Sequence, residues 1–89
     1  MTTIRVLEAQ LRAVANARRL GILAYVKKNQ SVTVGEIADA VRLKRPSASQ
    51  HLRILKSAGI LQYKKRGLFI MYRLSLKQEE PIKKILSML

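Results

Sequence analysis

The sequence predicts a mainly α-helical domain with a small β-hairpin, on three observations. Apolar residues recur at three- and four-residue spacing in successive segments, as the buried face of an amphipathic helix requires. Pro46 and Gly59 bracket one such segment as a start and a stop. Residues 60–65 and 68–74 are rich in Ile, Leu, Tyr and Phe around a central Arg66-Gly67, which reads as two strands and a tight turn. A chain of 89 residues makes one domain (1–89) whose core is small, so oligomerisation is a natural supplement.

The elements follow in order. Ile4, Leu7, Leu11 and Val14 give residues 3–15 an amphipathic helix, with Thr3 able to cap its start. Asn16 is the N-cap of a second helix to about Lys28, with Leu20, Leu23 and Val26 inside. Lys27 and Lys28 suit its C-terminal end, where the helix dipole is negative. Asn29-Gln30-Ser31 reads as a loop. Thr33 caps a short third helix, and Glu36 stands three residues on, as a capping box requires. Ile37, Ala38 and Val41 form its apolar face. The turn Arg42-Leu43-Lys44-Arg45 leads into a fourth helix, with Pro46 at the first helical position and Ala48, Leu52 and Leu55 on one face. Gly59 ends it at about Ala58. After the strands, Pro81 opens a last helix with Ile82, Ile85, Leu86 and Leu89 as its stripe. Glu79 and Glu80 sit at its positive end.

Charge narrows the class of partner. Eighteen Lys/Arg stand against five Asp/Glu, a net charge of +13, which favours a polyanion. The excess is uneven: residues 27–73 hold eleven basic and two acidic side chains. The middle of the chain should therefore face the anion. The absence of cysteine excludes disulfides, zinc fingers and thiol switches, and fits a cytoplasmic setting. No apolar run approaches the ~20 residues of a membrane span. Arg5, Glu8 and Arg12 interrupt any signal-peptide core at the start of the chain.

The third and fourth helices with their short turn make a helix-turn-helix, and the hairpin after them makes a wing. The predicted order is thus α-α-α-α-β-β-α, a winged helix-turn-helix. Ser47, Ser49 and Gln50 on the outer face of the fourth helix can bond base edges or phosphates, and glutamine can bond adenine bidentately. Lys44 and Arg45 lie by the helix start, which already favours phosphate. Arg53 and Lys56 lie further along and reach the backbone more easily than bases. Lys64, Lys65 and Arg66 crowd the hairpin tip, where one lysine would suffice to blunt a strand edge. Their accumulation, with Arg73, reads as a phosphate-contacting wing. Tyr63 and Phe69 read as packing residues, since an aromatic content of 4% argues against base stacking on a single strand.

The remaining candidates carry no chemistry. His51 is the only histidine, with no carboxylate at helical spacing, and reads as a packing or DNA-facing residue. Glu8, Glu36, Asp39, Glu79 and Glu80 are scattered. No nucleophile set, phosphate loop or metal-spaced cluster is visible, so neither an enzyme nor a cofactor or metal site is expected. The terminal helices (about 3–15 and 80–89) bear apolar stripes larger than a three-helix core covers. They can pack on their own domain or pair across a two-fold axis. The reading adopted is a dimer interface of Ile4, Leu7, Leu11, Val14, Ile82, Ile85, Leu86 and Leu89, which would present two recognition helices about one DNA turn apart.

Several runs resemble the ArsR/SmtB family of winged helix-turn-helix repressors. They are Val34-Gly35-Glu36-Ile37-Ala38, the segment from Pro46 to Leu61 with its Ser49-Gln50-His51-Leu52 core, Lys65-Arg66-Gly67, and Met71-Tyr72-Arg73-Leu74. Asn16-Ala17-Arg18-Arg19-Leu20 with Ile22-Leu23 is similar to that family's second-helix opening. The resemblance covers roughly residues 14–75. It implies a cytoplasmic homodimer joined by its first and last helices, with the fourth helix in the major groove and the hairpin on flanking DNA. Many members release DNA on binding metal, through paired cysteines in the third helix or His/Asp/Glu sets in the last. Here Thr33 and Gly35 stand in place of the cysteines, and the last helix has no histidine, so that chemistry does not carry over.

The function expected is a dimeric, sequence-specific double-stranded DNA-binding transcriptional regulator, a repressor by promoter occupancy, without thiol-based metal sensing. Its small-molecule effector, if any, is left unknown, and no membrane partner is expected. Two other readings remain: an architectural protein coating DNA without preference, and a winged-helix protein-interaction module.

Overall fold

The computed structural model describes residues 3–89; residues 1 and 2 of the predicted 1–89 domain lie outside the described residues. The elements run α1 (Ile4–Val14), α2 (Ala17–Asn29), β1 (Val32–Thr33), α3 (Val34–Val41), α4 (Arg45–Ser57), β2 (Leu61–Arg66), β3 (Phe69–Leu74) and α5 (Glu80–Ser87). The chain is therefore mainly helical, with a wing after its helix-turn-helix. All five predicted helices and both predicted strands are present.

Local side-chain chemistry sets most of the boundaries. Thr3 accepts a hydrogen bond from the Val6 amide, and Asn16 accepts one from Arg19. Thr33 and Glu36 form a reciprocal capping box at the start of α3. These satisfy amides that a helix start leaves without partners. Pro46 and Pro81 stand in the first turns of α4 and α5, one residue later than the sequence suggested, where the amide is still an orphan. Gly59 has φ +77°, and the Ile60 amide donates to the Leu55 carbonyl at 3.0 Å. That six-to-one bond over a left-handed residue closes α4.

The sheet is antiparallel in the order β1-β3-β2. The strand β1 was not expected. Its two residues show no period to read, and Thr33 already serves as a helix cap. Val32 pairs with Tyr72 and Thr33 with Met71, so β1 covers one edge of β3. The Asn29-Gln30-Ser31 loop that leads into it is a γ-turn: Ser31 donates to the Asn29 carbonyl at 2.8 Å, with Gln30 at φ 70°, ψ −55°.

One core lies between the helices and the inner face of the sheet. Ile22, Leu23 and Val26 of α2, Ile37 of α3, Leu52 and Leu55 of α4, Ile60 just before β2, Leu61 of β2 and Ile82 of α5 are among its buried members, with Val32 from β1. Full burial of side chains this size stabilises by about 1.5–3 kcal/mol each. This holds α4 by its inner strip and leaves its outer face free. Among the described residues no helix is long and apolar enough to cross a membrane.

Candidate nucleic-acid interface

The helix α4 is anchored on one side only. Ala48, Leu52 and Leu55 are fully buried, while Lys44, Arg45, Ser47, Gln50 and Arg53 are exposed and Ser49 is half-buried. At about 100° per residue, Gln50 points outward with Arg53 beside it, Ser47 lies on the flank shared with His51, and Ser49 and Lys56 lie on the wing flank. Lys44 is the N-cap, in extended conformation, and makes no side-chain cap bond. The first turn of α4 thus keeps its free amides beside two cationic side chains, an arrangement suited to an anion.

Arg45 is less free than its sequence position implies. Its guanidinium lies over Gly35 of α3, where an added Cβ would stand 2.6 Å from Nη2. The position that the sequence flagged as lacking a cysteine is thus the seat of an arginine from the next helix. Thr33 is likewise engaged, in the capping box. The turn between α3 and α4 is closed by Arg42 in the left-handed region (φ 57°). The Leu43 amide donates to Ala38 at 2.9 Å, and Arg18 Nη1 donates to the Val41 carbonyl at 3.2 Å.

Arg19, to which the sequence reading gave no role of its own, braces the other side of α4. It donates through Nε to the Ala13 carbonyl (2.6 Å) and lies 3.2 Å by Nη1 from His51 Nδ1. His51 therefore faces the body of the domain. Burial lowers its pKa, and the charges of Arg19 and then Arg18 lower it further. Among the described residues no three His, Asp or Glu side chains gather as a metal site.

The wing splits its cations between two faces. Its register is Gln62↔Arg73, Tyr63↔Tyr72, Lys64↔Met71, Lys65↔Ile70 and Arg66↔Phe69. Side chains alternate along a strand, so Lys64, Arg66 and Arg73 share the outer face and Lys65 shares the α4 side with Tyr63 and Tyr72. Gln62, with its amide oxygen toward Arg73, accepts from Nε at 2.8 Å and Nη2 at 3.0 Å. Tyr63 and Tyr72 meet edge to face at 5.6 Å, and Lys56 Nζ lies 4.8 Å from the Tyr63 ring centre. Tyr63 therefore packs in part, with 47% of its surface still exposed. Phe69 does not: it is 62% exposed, because it sits at the tip beyond the core. The ion pairs found among the described residues, Arg12–Glu8 and Lys83–Glu80, involve none of the α4 or wing cations.

The terminal stripes divide differently from the expectation. Val14, Ile82 and Leu86 fill the chain's own core, and Ile85 is half-buried against it, rather than facing outward. The reason is that α5 packs on α2, where Lys27 Nζ caps it by donating to the Leu86 (2.9 Å) and Leu89 (3.1 Å) carbonyls. What stays open is α1: Ile4 is 86% and Leu11 43% exposed, Leu7 is half-buried, and the three line an apolar hollow with Ala15. Leu89 remains exposed at the other end.

Comparison with known proteins agrees with this architecture. The chain is 38% identical over 65 residues to the HTH-type transcriptional repressor SmtB of Mycobacterium tuberculosis, covering 73% of this chain and 47% of that one. It is 36% identical over 64 residues to the transcriptional repressor SdpR of Bacillus subtilis, covering 72% and 70%. The chain thus spans about half the length of SmtB. Its fold superposes, at a TM-score of 0.82 and 27% identity, on the homodimeric winged helix-turn-helix DNA-binding domain of a possible ArsR-family regulator of Mycobacterium bovis, covering 96% of this chain and 75% of that one. Residues 16–63, more than half of the chain, match the family described as "Bacterial regulatory protein, arsR family". The chain belongs to the arsR family of bacterial regulatory proteins.

Proposed function

We propose that this chain acts as a homodimeric, sequence-specific double-stranded DNA-binding regulator that represses by occupying a promoter. The observation that carries the reading is the outer face of α4. Lys44, Arg45, Ser47, Gln50 and Arg53 project from a helix locked by its inner strip, beside a wing whose cations have no acidic partner among the described residues. Ser47, Gln50 and the half-buried Ser49 are the base-reading candidates; Lys44, Arg45 and Arg53 hold phosphates beside them. Lys64, Lys65, Arg66 and Arg73 extend the contact along flanking DNA. SmtB and SdpR are named as repressors and HlyU of Vibrio cholerae as an activator; repression is proposed because occupying a promoter suffices for it.

Thiol-based metal sensing has no place in this reading. The chain has no cysteine, and the two positions in question hold a helix cap and the seat of Arg45. The partners of this reading are double-stranded DNA and a second copy of the chain.

Selection of bound duplexes from a random pool at two salt concentrations tests the proposal. A dimer that neutralises about 6–10 phosphates gives log K against log[salt] a slope of roughly −5 to −9. One enriched near-palindrome, preferred by about 10³ or more over unrelated duplexes, is the expected result. The same salt slope without discrimination would instead identify an architectural coat. Affinity that ignores salt, or none for any duplex, would sink both.

A further inference from the structure

Phosphate binding leaves one part of the wing unused. Leu68 is 97% exposed, and Phe69 and Ile70 beside it are also exposed, directly after Lys64-Lys65-Arg66. A single exposed leucine is ordinary. Three consecutive large apolar side chains at the most projecting point of a cationic hairpin are not required by the fold. Gly67 has φ +60° and Leu68 lies outside the positive-φ region, the pattern of a type II′ turn. That turn needs glycine first and accepts a small polar residue second, so nothing local calls for leucine.

The register says what such a tip fits. Phe69 lies across from Arg66 on one face, and Ile70 across from Lys65 on the other. Each face of the tip thus offers one apolar and one cationic side chain, with Leu68 at the apex. A site with phosphates on two opposed walls and apolar base faces stacked between them matches this distribution. The DNA minor groove is such a site, about 6 Å wide and 7.5 Å deep, a width that admits the side chains of a hairpin tip. A flat anionic surface would meet only one face.

We infer that Leu68, with Phe69 beside it, is a wedge that enters the minor groove and opens a base step, bending the duplex, while Lys65 and Arg66 hold the phosphates on either side. Apolar side chains inserted in this way unstack a step and kink the duplex by about 20–90° toward the major groove. The inference rests on the duplex-binding reading above.

The test uses the duplex enriched by selection, end-labelled with a donor and an acceptor dye, and a second copy carrying 2-aminopurine at successive steps in its flanks. The wild-type protein should shorten the end-to-end distance and raise 2-aminopurine fluorescence at one flanking step per half-site. Leu68→Ser, an exposed change whose folding circular dichroism checks, should return both signals to near the free-duplex values. Its affinity should stay within roughly tenfold of wild type, because the variant no longer incurs the unstacking cost, and its salt slope should not change. A tightly bound but straight duplex, or a bend unaltered by Leu68→Ser, overturns the wedge and leaves the DNA-binding reading standing. Enrichment of no duplex ends that reading and the wedge with it. Flotation with phosphatidylserine vesicles that is lost in Leu68→Ser, in a protein that leaves its duplex straight, would reassign the tip to a membrane surface.

Discussion

His51 shows how little a residue's type says until its neighbours are placed. A guanidinium can only donate, so Nδ1, 3.2 Å from Arg19, is the acceptor and the neutral ring carries its proton on Nε2. Burial, then Arg19 and Arg18, hold its pKa below the ordinary value of about 6.5. A base with a lowered folded pKa binds fewer protons folded than unfolded. Its stabilising contribution is therefore complete above the unfolded value and is lost as pH falls through that value toward the folded one. An NMR titration should place the His51 midpoint below 6.5, and Arg19→Gln should raise it, since one of its named causes is removed. An unmoved midpoint in that variant would clear Arg19 of the role. Gly35 makes the complementary case for Arg45. Gly35→Ala would push the guanidinium from its seat, because the atom in the way is the far end of a flexible side chain. Alanine also favours the helix by up to about 1 kcal/mol. Urea unfolding should show unchanged or higher stability, while duplex affinity measured by anisotropy falls about three- to tenfold, the scale of one displaced phosphate contact. Wild-type affinity in this variant would show that the seat does not aim Arg45.

At the scale of elements, stability sits in the inner strip and the caps, and the two can be told apart. Leu52→Ala removes a fully buried side chain from the centre of α4 and should cost about 2–5 kcal/mol in urea unfolding. Arg42→Gly works in the other direction. Arg42 holds the left-handed conformation that ends α3, which costs a residue with a Cβ about 1–2 kcal/mol. Glycine removes that strain at some cost in unfolded-chain entropy, so a net gain of about 0.5–1 kcal/mol is expected. A loss would mean that the Arg42 side chain has a contact worth more than the strain. The sequence was readable wherever an element is set by partners a few residues away. Thr3, Asn16, the Thr33–Glu36 box and Gly59 all announce helix ends through such bonds. It was unreadable where the partner is distant. The pairing of Val32 with Tyr72 leaves no local trace. The same holds for Arg45 over Gly35 and for Arg19 against His51. The wing cations were legible as a cluster, but the division of Lys65 from Lys64 and Arg66 follows from a register that only the fold specifies.

The proposed homodimer raises, for the whole molecule, the question of how two chains of charge +13 would come together. An apolar contact can overcome the repulsion, and the structure offers one on α1, where Ile4, Leu7, Leu11 and Ala15 line an open hollow. The domain measures 36 × 25 × 21 Å. A two-fold dimer that reads two half-sites must hold its α4 helices about one DNA turn, roughly 34 Å, apart. Leu11→Glu places a carboxylate in that hollow without touching the core. Sedimentation should show wild-type protein at twice the 10.1 kDa chain mass and the variant at that mass itself. Thermal unfolding should show that the variant still folds. Salt then separates the two kinds of association. Like charge opposes pairing of the chains, and at 0.1 M salt the screening length is only about 10 Å, so dimerisation should tighten as salt rises. Duplex binding rests on counterion release and must weaken over the same range. Measured on one preparation, the two affinities should move in opposite directions between about 0.05 and 0.5 M salt. A dimer that weakens with salt would be held by ion pairs, and the α1 hollow would not be its seat. A wild-type protein that stays monomeric at every salt concentration while binding a near-palindrome would place the two-fold in the DNA alone.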